Sequence, residues 1–261
     1  MPASDLDLLM SAAREAGVLA TRYSGPSARR WDKAGDAGPV TEADIAVDRL
    51  LHARLTEARP DYGWLSEETP DNEDRLSLRR TFIIDPIDGT RSFIEGTSTW
   101  AHSLAVAEEG RITAAVVFLP LKDKLYSAGY GLGAFLNARP IRASSQSTLS
   151  GASLLAAKPA TEPQHWRDGK VPQMTRHHRP SLAYRLSLVA EGRFDAMLTL
   201  RPSWEWDIAA GALILQEAGA TGTDRTGGDL LFNNPHPQVN GVVAAGKGLH
   251  HALCSQLLPR P

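Results

Sequence analysis

The middle third of the chain constrains the fold most, because its apolar residues no longer recur at helical spacing and instead form short apolar or alternating runs. Turn-forming residues divide five such runs, at residues 63–66, 81–84, 102–107, 111–119 and 124–128. Runs of this length and pattern are typical of β-strands. Glu109-Gly110 between two runs predicts a tight hairpin, and Asn137-Ala-Arg-Pro140 predicts another turn. We therefore expect this part of the chain to form a sheet.

Two amphipathic helices are predicted before that sheet. Between residues 5 and 23 apolar side chains recur at three- and four-residue steps, and Ser4 or Asp5 can cap the start. After a loop rich in glycine, proline and charge at residues 25–39, Thr41 is expected to cap a second helix that runs to about Ala58. Pro60 ends it.

The small, polar segment at residues 144–150 is the best candidate for a boundary. It divides the chain into an N-terminal half, residues 1–143, and a C-terminal half, residues 144–261. Strands are expected at 152–157, 194–200 and 241–245, helices at 181–191 and 207–219, and a loop at 159–180. Strands that alternate with helices are typical of an α/β half.

Composition narrows the possible partners. The chain has 28 basic and 30 acidic residues and a formal charge of −2, so it has no overall attraction for nucleic acid or an anionic membrane. Its single cysteine, Cys254, excludes an internal disulfide framework. No apolar run approaches the roughly 18 residues of a membrane span, and the N-terminus lacks the bases of a signal peptide. We expect a soluble, cytoplasmic protein that binds anions at a local site.

The candidate for that site is Asp85-Pro-Ile-Asp-Gly-Thr90, where a buried-looking strand ends on two aspartates three residues apart. Its carboxylates are hard oxygen ligands that suit Mg²⁺. Pro86 stiffens the turn, and Gly89 allows the backbone to approach a ligand closely. The amides of Gly89, Thr90 and Arg91 would point at an anion if they begin a helical turn. The structural alternative is an Asx turn followed by a helix cap.

Two further acidic signals accompany this motif. Ser66-Glu-Glu68 ends a strand-like run, and Trp204-Glu-Trp-Asp207 begins a helix. Taken alone, each is explained by a solvated edge or a helix cap. Together with the motif they indicate a carboxylate site assembled from distant parts of the chain.

The combined set Pro39-Val-Thr-Glu-Ala-Asp44, Ser66-Glu-Glu68, Asp85-Pro-Ile-Asp-Gly-Thr90 and Trp206-Asp-Ile-Ala-Ala-Gly211 resembles the inositol monophosphatase superfamily. That superfamily includes inositol monophosphatases, fructose-1,6-bisphosphatases and 3′(2′),5′-bisphosphate nucleotidases. The resemblance implies an α/β fold, a layered α-β-α-β-α sandwich with an α+β N-terminal half. It places the active site between the halves.

The resemblance also implies a metal-dependent phosphomonoesterase with two or three Mg²⁺ ions. One ion would be held by Glu67, Asp85 and the carbonyl of Ile87, and a second by Asp85, Asp88 and Asp207. Such ions activate a water for in-line displacement, and Li⁺ is expected to inhibit by competing for one of the sites.

The same matching implies that Asp44 accepts a hydrogen bond from Thr90. The Thr90 oxygen then orients the attacking water, and Glu67 shares the water's proton. A non-catalytic scaffold is disfavoured because all of these groups are present.

The substrate is predicted to be a small-molecule phosphate ester. Two segments, Phe93-Ile-Glu-Gly96 and Glu205-Trp-Asp207, resemble those of bacterial bisphosphate nucleotidases. These enzymes remove the 3′-phosphate of 3′-phosphoadenosine 5′-phosphate. Trp204 would then stack on the purine. An inositol-1-monophosphatase or a phosphatase for another ester, such as histidinol phosphate, remains the alternative. The substrate-binding residues are expected to be Gly89, Thr90, Arg91, Lys158, Arg176, Trp204 and Glu205.

Overall fold

A computed structural model describes residues 4–23, 28–33 and 38–258. Its helices are α1 Asp5–Ala20, α2 Glu42–Ala58, α3 Thr90–Ile94, α4 Leu182–Ala190, α5 Glu205–Glu217 and α6 Lys247–Gln256. Its first nine strands are β1 Arg30–Asp32, β2 Pro39–Thr41, β3 Gly63–Ser66, β4 Arg80–Asp88, β5 Ala101–Glu108, β6 Arg111–Leu119, β7 Lys124–Gly129, β8 Gly133–Leu136 and β9 Arg139–Pro140. The others are β10 Ser153–Ala156, β11 Thr175–His177, β12 Ala196–Thr199, β13 Ser203–Trp204, β14 Ala220–Thr223, β15 Gln238–Val239 and β16 Val242–Gly246.

Side-chain caps fix the starts of the first two helices where the sequence predicted them. The Ser4 hydroxyl accepts a hydrogen bond from the Asp7 amide at 3.1 Å. At α2, Thr41 Oγ1 accepts from the amides of Ala43 and Asp44, and the Asp44 carboxylate accepts from the Thr41 amide. This reciprocal capping box satisfies N–H groups that have no partner inside the helix. It also fixes the position of Asp44.

The first sheet contains seven strands in the order β3-β4-β5-β6-β7-β8-β9. The first pair is parallel and the others are antiparallel. All five predicted strands and the Glu109-Gly110 hairpin are confirmed. β4 continues to Asp88, with a register shift between Asp85 and Asp88, so the strand ends on the two aspartates as predicted.

The second sheet contains five strands in the order β11-β10-β12-β16-β14. β10 is parallel to β11 and β12, whereas β16 is antiparallel to β12 and β14. The predicted loop at 159–180 is therefore wrong in part, because it contains β11. This strand is short and mostly exposed. It has no apolar pattern that the sequence could reveal, because it forms through its pairing with β10.

Three apolar cores join these elements into five layers. α1 and α2 cover one face of the first sheet, where Leu9 and Val47 meet Leu104. α4 and α5 fill the space between the two sheets. α6 and Trp166 cover the outer face of the second sheet. The α-β-α-β-α architecture is thus confirmed, while the division at residue 143 stays a prediction. No described helix is both long and apolar enough to span a membrane.

Asp195 ties the start of the C-terminal half together. Its carboxylate accepts hydrogen bonds from Ser144 Oγ at 2.6 Å, Ser153 Oγ at 2.6 Å and the Ser153 amide at 2.8 Å. Asp224 accepts the same number of hydrogen bonds, but from its own turn, at Thr226 and Gly228. The two carboxylates therefore form a matched pair.

We predict that Asp195→Ala lowers the free energy of unfolding by about 2–3 kcal/mol, because distant donors lose a charged acceptor. Asp224→Ala should cost less than about 1 kcal/mol, since water reaches its exposed donors. Urea unfolding of both variants measures the difference. Equal losses would show that Asp195 does not join these segments.

Candidate active site

The last residues of β4 form the floor of the site. The Ile87 amide donates a hydrogen bond to Asp85 Oδ1 at 2.9 Å, which is the Asx geometry of the structural alternative. Gly89 has φ +98°, a left-handed conformation that favours glycine, and a Cβ there would lie 3.3 Å from the Thr99 carbonyl oxygen. Thr90 then begins α3. The motif is thus a structural turn in which Asp85 Oδ1 accepts the turn's own hydrogen bond and Asp85 Oδ2 can still bind a ligand.

Asp85 and Asp88 at the end of β4 meet Asp207 at the start of α5. One carboxylate oxygen from each lies within 4.8 Å of the others. Asp85 and Asp88 are buried, and Asp207, the third residue of α5, is half-buried. The sequence prediction that these three carboxylates come together is confirmed, and their role as metal ligands remains a prediction.

Hydrogen bonds hold two helices against this cluster. Asp88 Oδ2 accepts from Ser181 Oγ at 2.6 Å and from the Ala183 amide at 2.7 Å, which fixes the start of α4. The Ser103 hydroxyl of β5 donates to the Trp206 carbonyl at 2.8 Å, which fixes the start of α5. The cluster therefore depends on the first sheet for its floor and on the central helices for its wall.

Burial raises the pKa of Asp85 and of Asp207 well above the ordinary value, and neighbouring carboxylates raise both further. Burial also raises the pKa of Asp88 to about 6, although bonds from Ser181 and Ala183 oppose the shift. Like charges in a poorly solvated site repel each other unless a cation or a proton compensates them. A compact set of carboxylate oxygens is the donor set that Mg²⁺ prefers. The residues therefore fit the implied metal.

Glu67 lies at the same cavity but in a different electrostatic setting. Lys33 Nζ lies 2.8 Å from Glu67 Oε1 and 2.7 Å from Glu68 Oε1. Burial lowers the pKa of Lys33, but the two glutamates outweigh it and leave the pKa raised. Glu67 Oε1 is thus ion-paired with the Lys33 ammonium group, and a metal that binds this oxygen would have to displace Lys33. The sequence analysis missed Lys33 because its pairing joins distant segments.

The predicted contact between Thr90 and Asp44 is confirmed. Thr90 Oγ1 lies 3.3 Å from Asp44 Oδ1 and 3.2 Å from the Ile87 carbonyl oxygen. Asp44 Oδ2 accepts from the Thr41 amide at 2.8 Å, and burial raises the pKa of Asp44 to about 6. A hydroxyl that donates to a fixed acceptor keeps lone pairs that can accept a hydrogen bond from water.

A cavity of about 750 Å³ opens beside these groups. Besides the carboxylates, basic side chains line it: Arg91, His165, His178, Arg185 and Arg201. The Nη2 atom of Arg185 lies 2.9 Å from His178 Nε2, and its Nε donates to the Arg179 carbonyl. Of these residues, the sequence analysis named only Arg91 as a substrate-binding residue. A charged residue inside the apolar helix α4 was the available signal for Arg185, since buried arginines usually have partners.

Four of the predicted substrate-binding residues are absent from the lining, whereas Gly89, Thr90 and Arg91 belong to it. Trp204 stacks on Trp206, with ring centroids 4.7 Å apart. Glu205 is fully buried and bonds to a loop at residues 233–234. Lys158 is exposed, and Arg176 donates to the Ala156 carbonyl at 3.2 Å. The burial of Glu205 contradicts its predicted contact with the substrate, whereas the roles of Lys158, Arg176 and Trp204 stay predictions.

We predict that Asp207→Asn stabilises the metal-free protein at about pH 7.5, because one repelling charge is removed. A gain of about 1 kcal/mol would raise the unfolding temperature by roughly 2–4 °C. Carboxylates whose folded pKa is raised destabilise the fold when charged, and regain protons as the pH falls through the folded pKa. The advantage should therefore shrink towards about pH 5.

Thermal unfolding in EDTA at both pH values measures this advantage. Comparison with the wild type at each pH cancels the titration of the buried histidine His102, whose pKa burial lowers to about 4. A lower unfolding temperature for the variant at the higher pH would show that the carboxylates do not repel each other.

Comparison with known proteins agrees with this geometry. Residues 2–259 match the model of the inositol monophosphatase family. The inositol-1-monophosphatase of Rhizobium meliloti is 36% identical over 98% of this chain and 96% of its own, and the Nus factor SuhB of Pseudomonas aeruginosa is 32% identical over 97% and 96%. The solved IMPase of Thermotoga maritima superposes with a TM-score of 0.81 at 28% identity, covering 96% of this chain and 95% of its own. The chain belongs to the inositol monophosphatase family and, with it, to the phosphomonoester hydrolases.

Proposed function

We propose that this protein is a Mg²⁺-dependent phosphomonoesterase that hydrolyses inositol monophosphate. The observation that carries the proposal is the group of three carboxylates, from the end of β4 and the start of α5, within 4.8 Å of one another beside a cavity of about 750 Å³. Buried carboxylates at such spacing are costly without a cation. A site that holds a divalent ion next to an open cavity is suited to phosphate-ester hydrolysis.

Asp85, Asp88 and Asp207 are the proposed metal ligands, and Glu67 and the Ile87 carbonyl would serve a further ion. When bound, Mg²⁺ polarises the phosphoryl group and lowers the pKa of a bound water. Gly89, Thr90 and Arg91 line the cavity and can bind the phosphate. Li⁺ is expected to inhibit, because it can replace Mg²⁺ among the carboxylates with half the charge.

Thr90 and Asp44 are proposed to orient the attacking water. The Thr90 hydroxyl donates to Asp44, and its oxygen accepts a hydrogen bond from the water. Thr90 is the donor in this hydrogen bond because the Asp44 carboxylate acts as an acceptor, as it does for the Thr41 amide at its other oxygen. This contact matters more when the water attacks than when the substrate binds, so its loss should act on kcat.

We predict that Thr90→Ala lowers kcat about 10²–10⁴-fold at saturating Mg²⁺, with a much smaller change in KM. Thr90→Ser keeps the hydroxyl and should keep most of the activity. Thr97→Ala is a control, because that hydroxyl bonds to the Ser92 carbonyl outside the cavity. Steady-state phosphate release measures all three. A similar kcat for Thr90→Ala and Thr90→Ser would exclude the role of the hydroxyl.

The choice of inositol monophosphate rests on the relatives' names and on the loss of contacts for a nucleotide. The sequence context favours a 3′(2′),5′-bisphosphate nucleotidase through Trp204 and Arg176, which do not line the cavity. One observation keeps that activity as a second candidate: Arg185 and Arg201 do line it. Cationic side chains of this kind can bind a second phosphate.

We predict a higher kcat/KM for inositol 1-phosphate than for 3′-phosphoadenosine 5′-phosphate. Trp204→Ala should change neither value, because the indole is already stacked on Trp206. Phosphate release with both esters, and with histidinol phosphate, measures the preference. A higher value for the bisphosphate that is lost in Arg201→Gln would instead favour the nucleotidase.

A further inference from the structure

Glu205 is a buried carboxylate that does not face the cavity, although it lies two residues before Asp207. It is fully buried at the start of α5. Its Oε2 accepts from the Asn233 amide at 2.6 Å, and its Oε1 accepts from the Asn234 amide at 2.9 Å and from Asn234 Nδ2 at 2.6 Å. All three donors belong to a loop some thirty residues further along the chain, so these bonds fix the helix start against a separate segment.

The loop is in turn fixed by Arg75 from the N-terminal half. Arg75 Nη1 donates to Asn233 Oδ1 at 2.6 Å, and Nη2 donates to the Asn234 carbonyl at 2.9 Å. The guanidinium also holds Asp71 through Nε at 2.7 Å and Nη2 at 2.8 Å. Only 2% of Arg75 is exposed, so these bonds are shielded from water.

We infer that Glu205 and Arg75 are positioning residues that hold the first turn of α5 so that Asp207 meets Asp85 and Asp88. This inference rests on the proposed metal site. The two residues before Asp207 are both fixed by hydrogen bonds. The loop binds the Glu205 carboxylate, and Ser103 donates to the Trp206 carbonyl. The turn cannot shift or rotate without breaking charge-assisted bonds, which are stronger than neutral ones.

Two simpler roles for Glu205 do not account for these contacts. A substrate contact requires an accessible side chain, and Glu205 is fully buried and absent from the cavity lining. An acidic residue in the first turn also interacts favourably with the helix dipole. That effect needs no specific partner, whereas three directed donors and a buried arginine specify one geometry. Groups that orient metal ligands in this way commonly govern metal affinity.

Glu217 provides a matched control on the same helix. It is half-buried at the last residue of α5, and its carboxylate accepts from the Gly131 amide at 3.0 Å and the Gly133 amide at 2.8 Å. Glu217→Gln therefore removes a charged acceptor of backbone N–H groups at the end remote from Asp207. It reproduces the chemical change of Glu205→Gln without disturbing the first turn.

The test is calorimetric titration of the metal-free full-length protein with Mg²⁺ and with Mn²⁺. Glu205→Gln should weaken binding about 10–100-fold, the usual effect of losing a group that orients a ligand. Glu217→Gln should bind as the wild type does, even if both variants unfold at lower temperature. At saturating Mg²⁺ the kcat of Glu205→Gln should recover, because the reacting groups remain.

Asn234→Ala provides a second variant if Glu205→Gln does not fold. It removes only the 2.6 Å side-chain donor to Glu205 and the 2.8 Å bond to the Leu231 carbonyl, and should weaken metal binding in the same direction. Wild-type affinity in a folded Glu205→Gln or Asn234→Ala variant, or an equal loss in Glu217→Gln, would overturn the inference. A wild-type protein that binds no Mg²⁺ would instead remove the proposed metal site itself.

Discussion

Repulsion among the carboxylates of Asp85, Asp88 and Asp207 is the constraint on which the rest of the site depends. Burial and mutual repulsion both raise their pKa values, so the fold holds them together at a cost. Bonds from Ser181 and Ala183 offset part of that cost at Asp88. A divalent cation would offset the rest of the repulsion. The arrangement is therefore unfavourable in the metal-free protein and would be stabilised by a bound metal.

The layered fold supplies the geometry that this cluster needs. β4 lies inside the seven-stranded sheet and brings Asp85 and Asp88 to its end, while α5 lies between the two sheets and brings Asp207. Neither element contains the complete set, so the site requires β4 and α5 to pack against each other. Arg75 and Glu205 strengthen that dependence, because together they link the N-terminal half to the start of α5 through residues 233–234.

Local patterns in the sequence were sufficient to predict the capped helices and the first sheet, and the family resemblance brought the three aspartates together. Local patterns were insufficient wherever a side chain's direction depends on a distant partner. Glu205 is assigned to the substrate by the resemblance of Glu205-Trp-Asp207 to the nucleotidases, yet its carboxylate accepts hydrogen bonds from Asn234. Lys33 was missed for the same reason, since its partner Glu67 lies on a separate segment. Spacing predicts which residues share an element, but packing decides which way each one points.

The most direct test of this account is a crystal structure of the wild-type protein grown with Mn²⁺, a substitute for Mg²⁺ that can be located by anomalous scattering. We predict an anomalous peak bonded to oxygens of Asp85, Asp88 and Asp207, with no comparable peak in crystals of Asp207→Asn grown in the same way. A peak at other residues, or three carboxylates bound only to water, would contradict the claim that this cluster is the metal site.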